Sequence, residues 1–200
     1  MSDAPASDAD AEPDRPEWDD QYLDDVAARL QYNYDLERDK RAGDDRFELY
    51  GRLLIESRKQ FLHQSVRYAH QSVHEHLFAT RRENVAVAEL DRLVDLGHRL
   101  ADAWVDPDET HKRTDFTFVV VTDDLSDGVR DRVAGFRDRT LFRYGYYGHY
   151  EVNLVVVAPK REAYVASQEA DVWRAFALWT DTDPDPDPSL FDRLKGLFGG

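Results

Sequence analysis

His70, His74 and His76, with Glu75 among them, form the densest group of potential metal ligands in the chain. On a strand the three even-numbered histidines project from one face, and on a helix His70 and His74 stack at i and i+4, so either geometry could present imidazoles to a transition metal. The order is not that of a zincin: Gln71-Ser72-Val73 separates His70 from His74, and Gln71 cannot replace a general-base glutamate. A solvated polar sheet face is the plain alternative. Glu56 near the end of one predicted strand and Asp115 at the start of another make a second candidate set, able to hold magnesium in a nuclease-like way. Nuclease cores of that kind place a lysine two residues after an acid. Here Glu56 is followed by Ser57 and Arg58, and a guanidinium stays charged and planar where a lysine would orient or activate water.

Gly145-Tyr146-Tyr147-Gly148 spells the G-x-x-G of a KH loop, with Arg137, Arg139 and Arg143 just upstream, and arginine with stacking aromatics can hold a single-stranded nucleic acid. A KH loop joins two helices, however, whereas this one separates strand-like runs. The segment reads better as a tyrosine-rich hairpin on the sheet or at an interface, and the chain carries no strong nucleic-acid signal. Neither G-x-G-x-x-G nor G-x-x-x-x-G-K-[ST] occurs, and no G-x-S-x-G elbow surrounds a serine. The chain has no cysteine, which excludes disulfides, thiolate nucleophiles and Cys-ligated metal clusters. No cofactor is expected. Gly199-Gly200 end the sequence after a proline-containing linker, unlike ubiquitin-like modifiers, whose glycines follow a β-grasp domain directly.

The elements that must position these residues fit one core. Two hundred residues, 42% hydrophobic, with ten Phe, ten Tyr and four Trp, are enough for one domain of ordinary size. The net charge of −15 is concentrated at the ends: residues 1–26 carry ten acids against Arg15, and residues 180–200 carry five against Arg193 and Lys195. The body is nearly balanced. Five lysines among 26 basic residues, and Asp in large excess over Glu, fit the acidic proteins of a haloarchaeon and a cytoplasmic location at high salt. No apolar run reaches the length of a transmembrane segment, and the acidic start is unlike a signal peptide.

Residues 1–16 hold three prolines among small and acidic residues and are expected to be a disordered acidic tail. Trp18, Tyr22, Val26 and Leu30 recur at helical spacing, which predicts a helix over 18–32. Alternation predicts a strand over 47–58. Residues 61–81 fit either a helix or a strand, and the strand is preferred because the preceding strand needs a nearby partner. Asn84 is placed to cap a long helix bearing Val87, Leu90, Leu93, Val94, Gly97, Leu100 and Trp104, ended at Asp106-Pro107. Residues 116–121 and 152–157 are apolar runs typical of strands buried on both faces, separated by a short helix capped by Ser126 and by a hairpin hinged at Gly145 and Gly148. If the two runs are parallel neighbours they close a right-handed βαβ unit. Tyr164 and Val165 add a short strand, and Ser167 is placed to cap a last helix through Trp179. The expected fold class is α+β, a single domain over 17–179 with a mixed β-sheet covered by helices, then an Asp/Pro linker at 180–188 and a short amphipathic segment at 189–200.

The segments around Phe47 to Ile55 and His74 to Phe78, with Phe142-Arg143-Tyr144-Gly145-Tyr146-Tyr147-Gly148-His149-Tyr150-Glu151-Val152-Asn153-Leu154-Val155-Val156-Val157, resemble an uncharacterised domain family of haloarchaea with distant relatives in Firmicutes. The resemblance spans roughly residues 20–179 and implies no catalytic residues. The leading expectation is therefore a soluble, cytoplasmic, non-catalytic domain that binds a partner protein or itself. Its contacts would come from Tyr144, Tyr146, Tyr147 and Tyr150. The alternative is a metal-dependent hydrolase acting on a phosphodiester through Glu56 and Asp115, or through the His70, His74 and His76 group.

Leu190, Phe191, Leu194, Leu197 and Phe198 share one face if the C-terminal segment is helical. Ten residues are too few for a stable isolated helix, so the segment is expected to dock on a protein partner. Peripheral membrane contact and folding back on its own domain are the other two possibilities. Deleting residues 181–200 is expected to leave the melting temperature unchanged and to remove a partner from a native-lysate pull-down. An unchanged partner profile would rule the segment out as a binding element.

Overall fold

The computed structural model describes residues 15–59 and 69–180. Residues 190–198, which carry the amphipathic segment, lie outside the described residues, as does most of the acidic N-terminal tail. Eleven helices and strands follow in the order α1 (Gln21–Leu30), β1 (Asp35–Ala42), β2 (Asp45–Lys59), β3 (Ala69–Arg81), α2 (Val87–Trp104), β4 (His111–Val121), α3 (Asp127–Ala134), β5 (Asp138–Leu141), β6 (His149–Ala158), β7 (Ala163–Ala166) and α4 (Trp173–Phe176). One mixed sheet orders the strands β1-β2-β3-β4-β6-β5. β3, β4 and β6 are parallel neighbours, and every other pairing is antiparallel. β5 covers His149 to Val152 on the outer edge of β6, and β7 covers Val155 to Ala158 further along the same edge. Between them Ser167 completes the ladder: its N–H donates to the Leu154 carbonyl at 2.9 Å, and its Oγ accepts from the Leu154 N–H at 3.1 Å.

The fold is α+β, as expected from the alternation of elements. Period-2 patterning divides β4 between two cores. Phe116, Phe118 and Val120 pack under α2 and α3 with Phe47, Phe78, Leu154 and the helix residues Leu90, Leu96 and Val133. Val119 and Val121 face the other way, against Leu77, Val155, Val157 and the α1 residues Leu23, Val26 and Leu30, with Phe176 of α4. Each fully buried Leu, Val or Phe contributes roughly 1.5–3 kcal/mol of transfer free energy. The first layer closes tightly because α2 places Gly97 on β6, where a Cβ would stand 2.8 Å from Val152 Cγ2. The second layer is tied by polar contacts at its ends: Asp20 caps α1 by accepting from the Leu23 N–H, Trp18 Nε1 donates to the Glu48 carbonyl at 2.7 Å, and the Tyr22 hydroxyl donates to the Phe176 carbonyl at 2.6 Å. Among the described residues no helix is long and apolar enough to cross a membrane.

Several expectations are met. Residues 69–81 form a strand paired with β2, the two Val-rich runs are parallel neighbours, Ser126 caps α3 through the Val129 N–H, and Leu141 to Tyr150 spans a hairpin. Others need correction. β1 has no counterpart in the expected pattern because six of its eight residues are charged. It is an edge strand folded back by a tight turn at Gly43 and Asp44, and charge on an edge discourages pairing with other chains. Asn84 does not cap α2, which starts at Val87 after Ala86 with no side-chain cap. Ser167 does not cap a helix either: it bonds β6, and α4 is a single turn starting at Trp173.

Gly145 and Gly148 both take positive φ in the hairpin, +89° and +74°. A Cβ on Gly145 would meet nothing nearer than Leu141 Cδ2 at 4.0 Å, whereas one on Gly148 would stand 2.2 Å from the Lys112 carbonyl oxygen. Gly145→Ala should therefore cost only the left-handed backbone term of about 1–2 kcal/mol. Gly148→Ala should cost clearly more, because the hairpin must also move off β4. At roughly 2–4 °C per kcal/mol, thermal unfolding of the two variants checks the order; equal losses would mean that the close approach of Gly148 to β4 has no energetic weight.

Candidate functional site

The face of the sheet under α1 and α4 changes character along the strands. Near the start of α1 it is apolar, but where β4 and β6 begin it carries ionisable groups in register. Glu75 of β3 pairs with Asp115 of β4, Asp115 with Glu151 of β6, and Glu151 with Arg139 of β5. One row nearer the strand starts, Val73, Arg113 and His149 are aligned, and one row inward Leu77, Thr117 and Asn153. Adjacent strands lie about 4.8 Å apart, so three carboxylates are held side by side by backbone pairing alone. A cavity of about 400 Å³ opens over this row. Its floor includes Glu75, Arg113, Asp115 and Asn153, its apolar wall is Leu53, Ile55 and Val73, and its roof comes from Arg29, Leu30, Asn33 and Tyr34 with the chain between Gln168 and Ala175.

The three carboxylates have different neighbours. Glu151 lies beside Arg139, which donates to Oε1, with Arg113 Nη2 3.6 Å and His149 Nε2 3.4 Å away. Burial alone would raise its carboxyl, but His149, Arg113 and Arg139 outweigh it and hold Glu151 below the usual carboxylate range. Asp115 accepts from Arg113 Nε at 2.7 Å. It is only 4% exposed, and burial, reinforced by the negative charges of Glu75 and Glu151, pushes it up to about 7 in spite of Arg113. Glu75 accepts from the Tyr34 hydroxyl at 2.8 Å and the Thr117 hydroxyl at 3.4 Å. Its carboxyl is raised by burial and by Asp171, against those two hydrogen bonds and Arg113. Burial and Glu75 in turn push the Tyr34 hydroxyl well above its ordinary value, so it stays a donor. Arg113 is the hub: although burial opposes its charge, Asp115, Glu151 and Glu75 keep it protonated.

The residues expected from sequence to carry chemistry are distributed differently. Asp115 lies in the site, but Glu56 is exposed and alternates with Ile55 and Leu53 of the cavity wall, so it projects from the opposite face and cannot share a metal with Asp115. His74 and His76 also face that opposite side. His76 stacks on Phe116 and Tyr50, pairs through Nδ1 with the Tyr50 hydroxyl at 2.8 Å, and is lowered to about 4 by burial and the nearby His74, Arg52 and Lys40. It is a half-buried histidine packed at the edge of the core under α2. His70 belongs to β3, outside the residues whose side chains are described. Among the described residues no three His, Asp or Glu side chains are grouped to hold a metal ion.

In the hairpin, Tyr144 and Tyr146 stand out at 103% and 81% exposure, on a turn in which Arg143 and Tyr144 both take left-handed backbone angles. Tyr147 is half-buried under Arg143, and its carbonyl lies 2.8 Å from His111 Nδ1. Tyr150 is a correction: it is buried, with its hydroxyl 2.9 Å from His98 Nδ1, and cannot offer its ring to a partner.

Sequence reasoning missed Glu75, Arg113, Glu151 and Asn153 as site residues. The signal was present as a repeated pattern, acid-x-polar, at the start of both parallel strands: Asp115-Phe116-Thr117 and Glu151-Val152-Asn153. Residues 19–178 match a family described as Domain of unknown function (DUF8052). No curated protein and no solved structure matches the chain.

The raised carboxyl of Asp115 fixes the sign of a pH effect. Its neutral form is favoured in the folded protein, so its contribution to stability is complete below about pH 3.8, is lost as pH rises through about 7, and is constant above that. His76 acts in the opposite sense, contributing above about pH 6.5 and losing that contribution as pH falls through about 4. Asp115→Asn removes only the first effect. The difference in melting temperature, variant minus wild type, should grow more positive from pH 4 to pH 7 and then level off; a flat difference would show that Asp115 is ionised in the folded protein throughout.

Proposed function

The chain belongs to the DUF8052 family, and we propose that its domain is a non-catalytic binding module that takes a small polar molecule into the cavity over Glu75, Asp115 and Asn153. The observation that carries this reading is the burial of unlike ionisable groups at the floor of a cavity of about 400 Å³, within the size range of small-molecule sites. Buried acids with raised carboxyls cost stability, and such groups cluster at functional sites. The non-catalytic part rests on the sequence, which carries no cysteine, no G-x-S-x-G elbow and no His-Glu-x-x-His order.

A second reading is supported by the hairpin. Two nearly fully exposed tyrosines on a left-handed turn, beside the exposed Leu141, fit contact with a protein partner or a second copy. The segment bearing Leu190, Phe191, Leu194, Leu197 and Phe198 is assigned to the same partner role. A cytoplasmic, haloarchaeal setting belongs to this reading as well, on the strength of the acidic composition, and relatives in Firmicutes on the family resemblance.

A thermal-shift screen of polar metabolites on the full chain tests the first reading. A ligand at about a hundred times its Kd adds roughly 2.7 kcal/mol, enough to move the melting temperature by several degrees. Ala175→Trp, which places an indole at the roof, should abolish the shift while the variant itself still unfolds cooperatively. If no compound stabilises the wild type, or if Ala175→Trp responds equally, the cavity is not a binding site. For the second reading, Tyr144→Ser with Tyr146→Ser should keep the melting temperature and lose self-association or a captured partner by light scattering and pull-down; wild type that stays monomeric and retains no partner overturns it.

A further inference from the structure

The charges that meet at the cavity do not balance. Glu151 is matched by Arg139 and Asp115 by Arg113, while Glu75 is bonded only by the hydroxyls of Tyr34 and Thr117. Of the groups that line the floor, two carboxylates thus face one guanidinium group. The roof does not make up the difference. Arg174 is paired with Asp171 at 2.7 Å, and Arg29, which keeps its charge, is turned to the carbonyl oxygens of Arg174, Ala177 and Leu178 and not to Glu75. Glu169, the remaining charged lining residue, is another acid.

A second observation is independent of this charge count. Asn153 is only 4% exposed and lines the cavity. Its Oδ1 accepts from Ser167 Oγ at 3.3 Å, while its Nδ2 donates to none of the described residues. That donor opens into the cavity, where a bound molecule can supply an acceptor.

Resting on the cavity reading above, we infer that the molecule this site accepts is an organic cation, an ammonium or amidinium group on an apolar body, with its charged end between Glu75 and Asp115. One ammonium reaches a carboxylate oxygen on each of two residues in register on adjacent strands, at charge-assisted distances of about 2.7–2.9 Å. Its body lies along Leu53, Ile55 and Val73, and an acceptor near the charged end meets Asn153. An anion would find Arg113 already engaged by two carboxylates and Glu75 repelling it. The raised carboxyls of Glu75 and Asp115 agree with this: in the ligand-free protein a proton does what the cation does when bound.

Calorimetry and thermal shift on the full chain test the inference with phenethylamine and benzamidine, set against neutral 2-phenylethanol and anionic phenylacetate. The two cations should raise the melting temperature in a saturable way and the other two should not. Glu75→Gln should weaken cation binding about tenfold or more. At pH 7, titrations in two buffers of different ionisation enthalpy should show proton release on cation binding, because burial raises the carboxyls of both Asp115 and Glu75. If 2-phenylethanol or phenylacetate binds instead, and Ala175→Trp abolishes that binding, the cavity reading stands and the cation inference falls. Cation shifts that persist unchanged in Glu75→Gln and Ala175→Trp also overturn it. If neither these probes nor the metabolite screen shifts the wild type, the cavity reading itself fails. Should Glu75→Gln not fold, the charge series and the proton release are read on wild type alone, and cation binding without proton release counts against the inference.

Discussion

Parallel pairing of β3, β4 and β6 is the constraint from which the rest of the architecture follows. Parallel neighbours cannot be joined by a tight turn, so the chain must cross over the sheet twice, and the crossovers deliver α2 and α3 to one face. That leaves the other face to be covered by elements from outside the crossovers. α1 comes from before the sheet and α4 from after it, and the Tyr22 and Arg29 side chains on the Phe176 to Leu178 carbonyls hold the two together. The first face is sealed by an 18-residue helix and an 8-residue helix, the second by 10 residues and a single turn. The shorter cover does not fill the space over the strand starts, and the cavity lies there, under the end of α1 and the turn of α4.

Within the polar row, backbone register decides which groups are neighbours, and side-chain surroundings decide what each does. Glu151 has Arg139, Arg113 and His149 close by, and stays ionised. Asp115, one strand away, is buried, shares Arg113 with it and feels two other carboxylates, so its proton is held up to about pH 7. Glu75 has hydroxyl donors only. Three acids in one row thus differ: His149 and two guanidinium groups hold Glu151 ionised, while burial dominates at Asp115 and Glu75 and raises both. Arg113 cannot be replaced by an uncharged residue without leaving the buried Asp115 uncompensated, a loss of the order of 3–5 kcal/mol for a broken buried pair.

The hairpin connects to this row through β6. His149, beside Glu151, is paired with Leu141 at the hairpin's base, and Gly148 packs on the Lys112 carbonyl, next to Arg113. The same short stretch therefore sets the reach of Tyr144 and Tyr146 into solvent and the position of a neighbour of the buried acids. In the turn Arg143 and Tyr144 sit in left-handed conformation without being glycine, and Gly145 and Gly148, which follow them, take the remaining positive-φ positions of the reversal.

Much of the fold was legible from local pattern. The apolar stripe of α2, the Val-rich runs of β4 and β6 and the Ser126 cap are signals that neighbouring residues carry by themselves, since period and capping chemistry are short-range. β1 was illegible because its charges suit an exposed edge and say nothing of pairing, and Ser167 was misread because a serine that caps a helix and one that fills a gap in a ladder look alike in sequence. Asp115 was read as a site residue, yet with Glu56 as its partner, since nothing local says which face of β2 turns towards β4. Residue types, strand periods and the excess of acids were set by the sequence alone. That Glu75, Asp115 and Glu151 stand in one row, with Arg113 between two of them and Glu75 lacking a cation of its own, was decided only by the tertiary structure, because register between strands 30 or more residues apart depends on the packing of both faces at once.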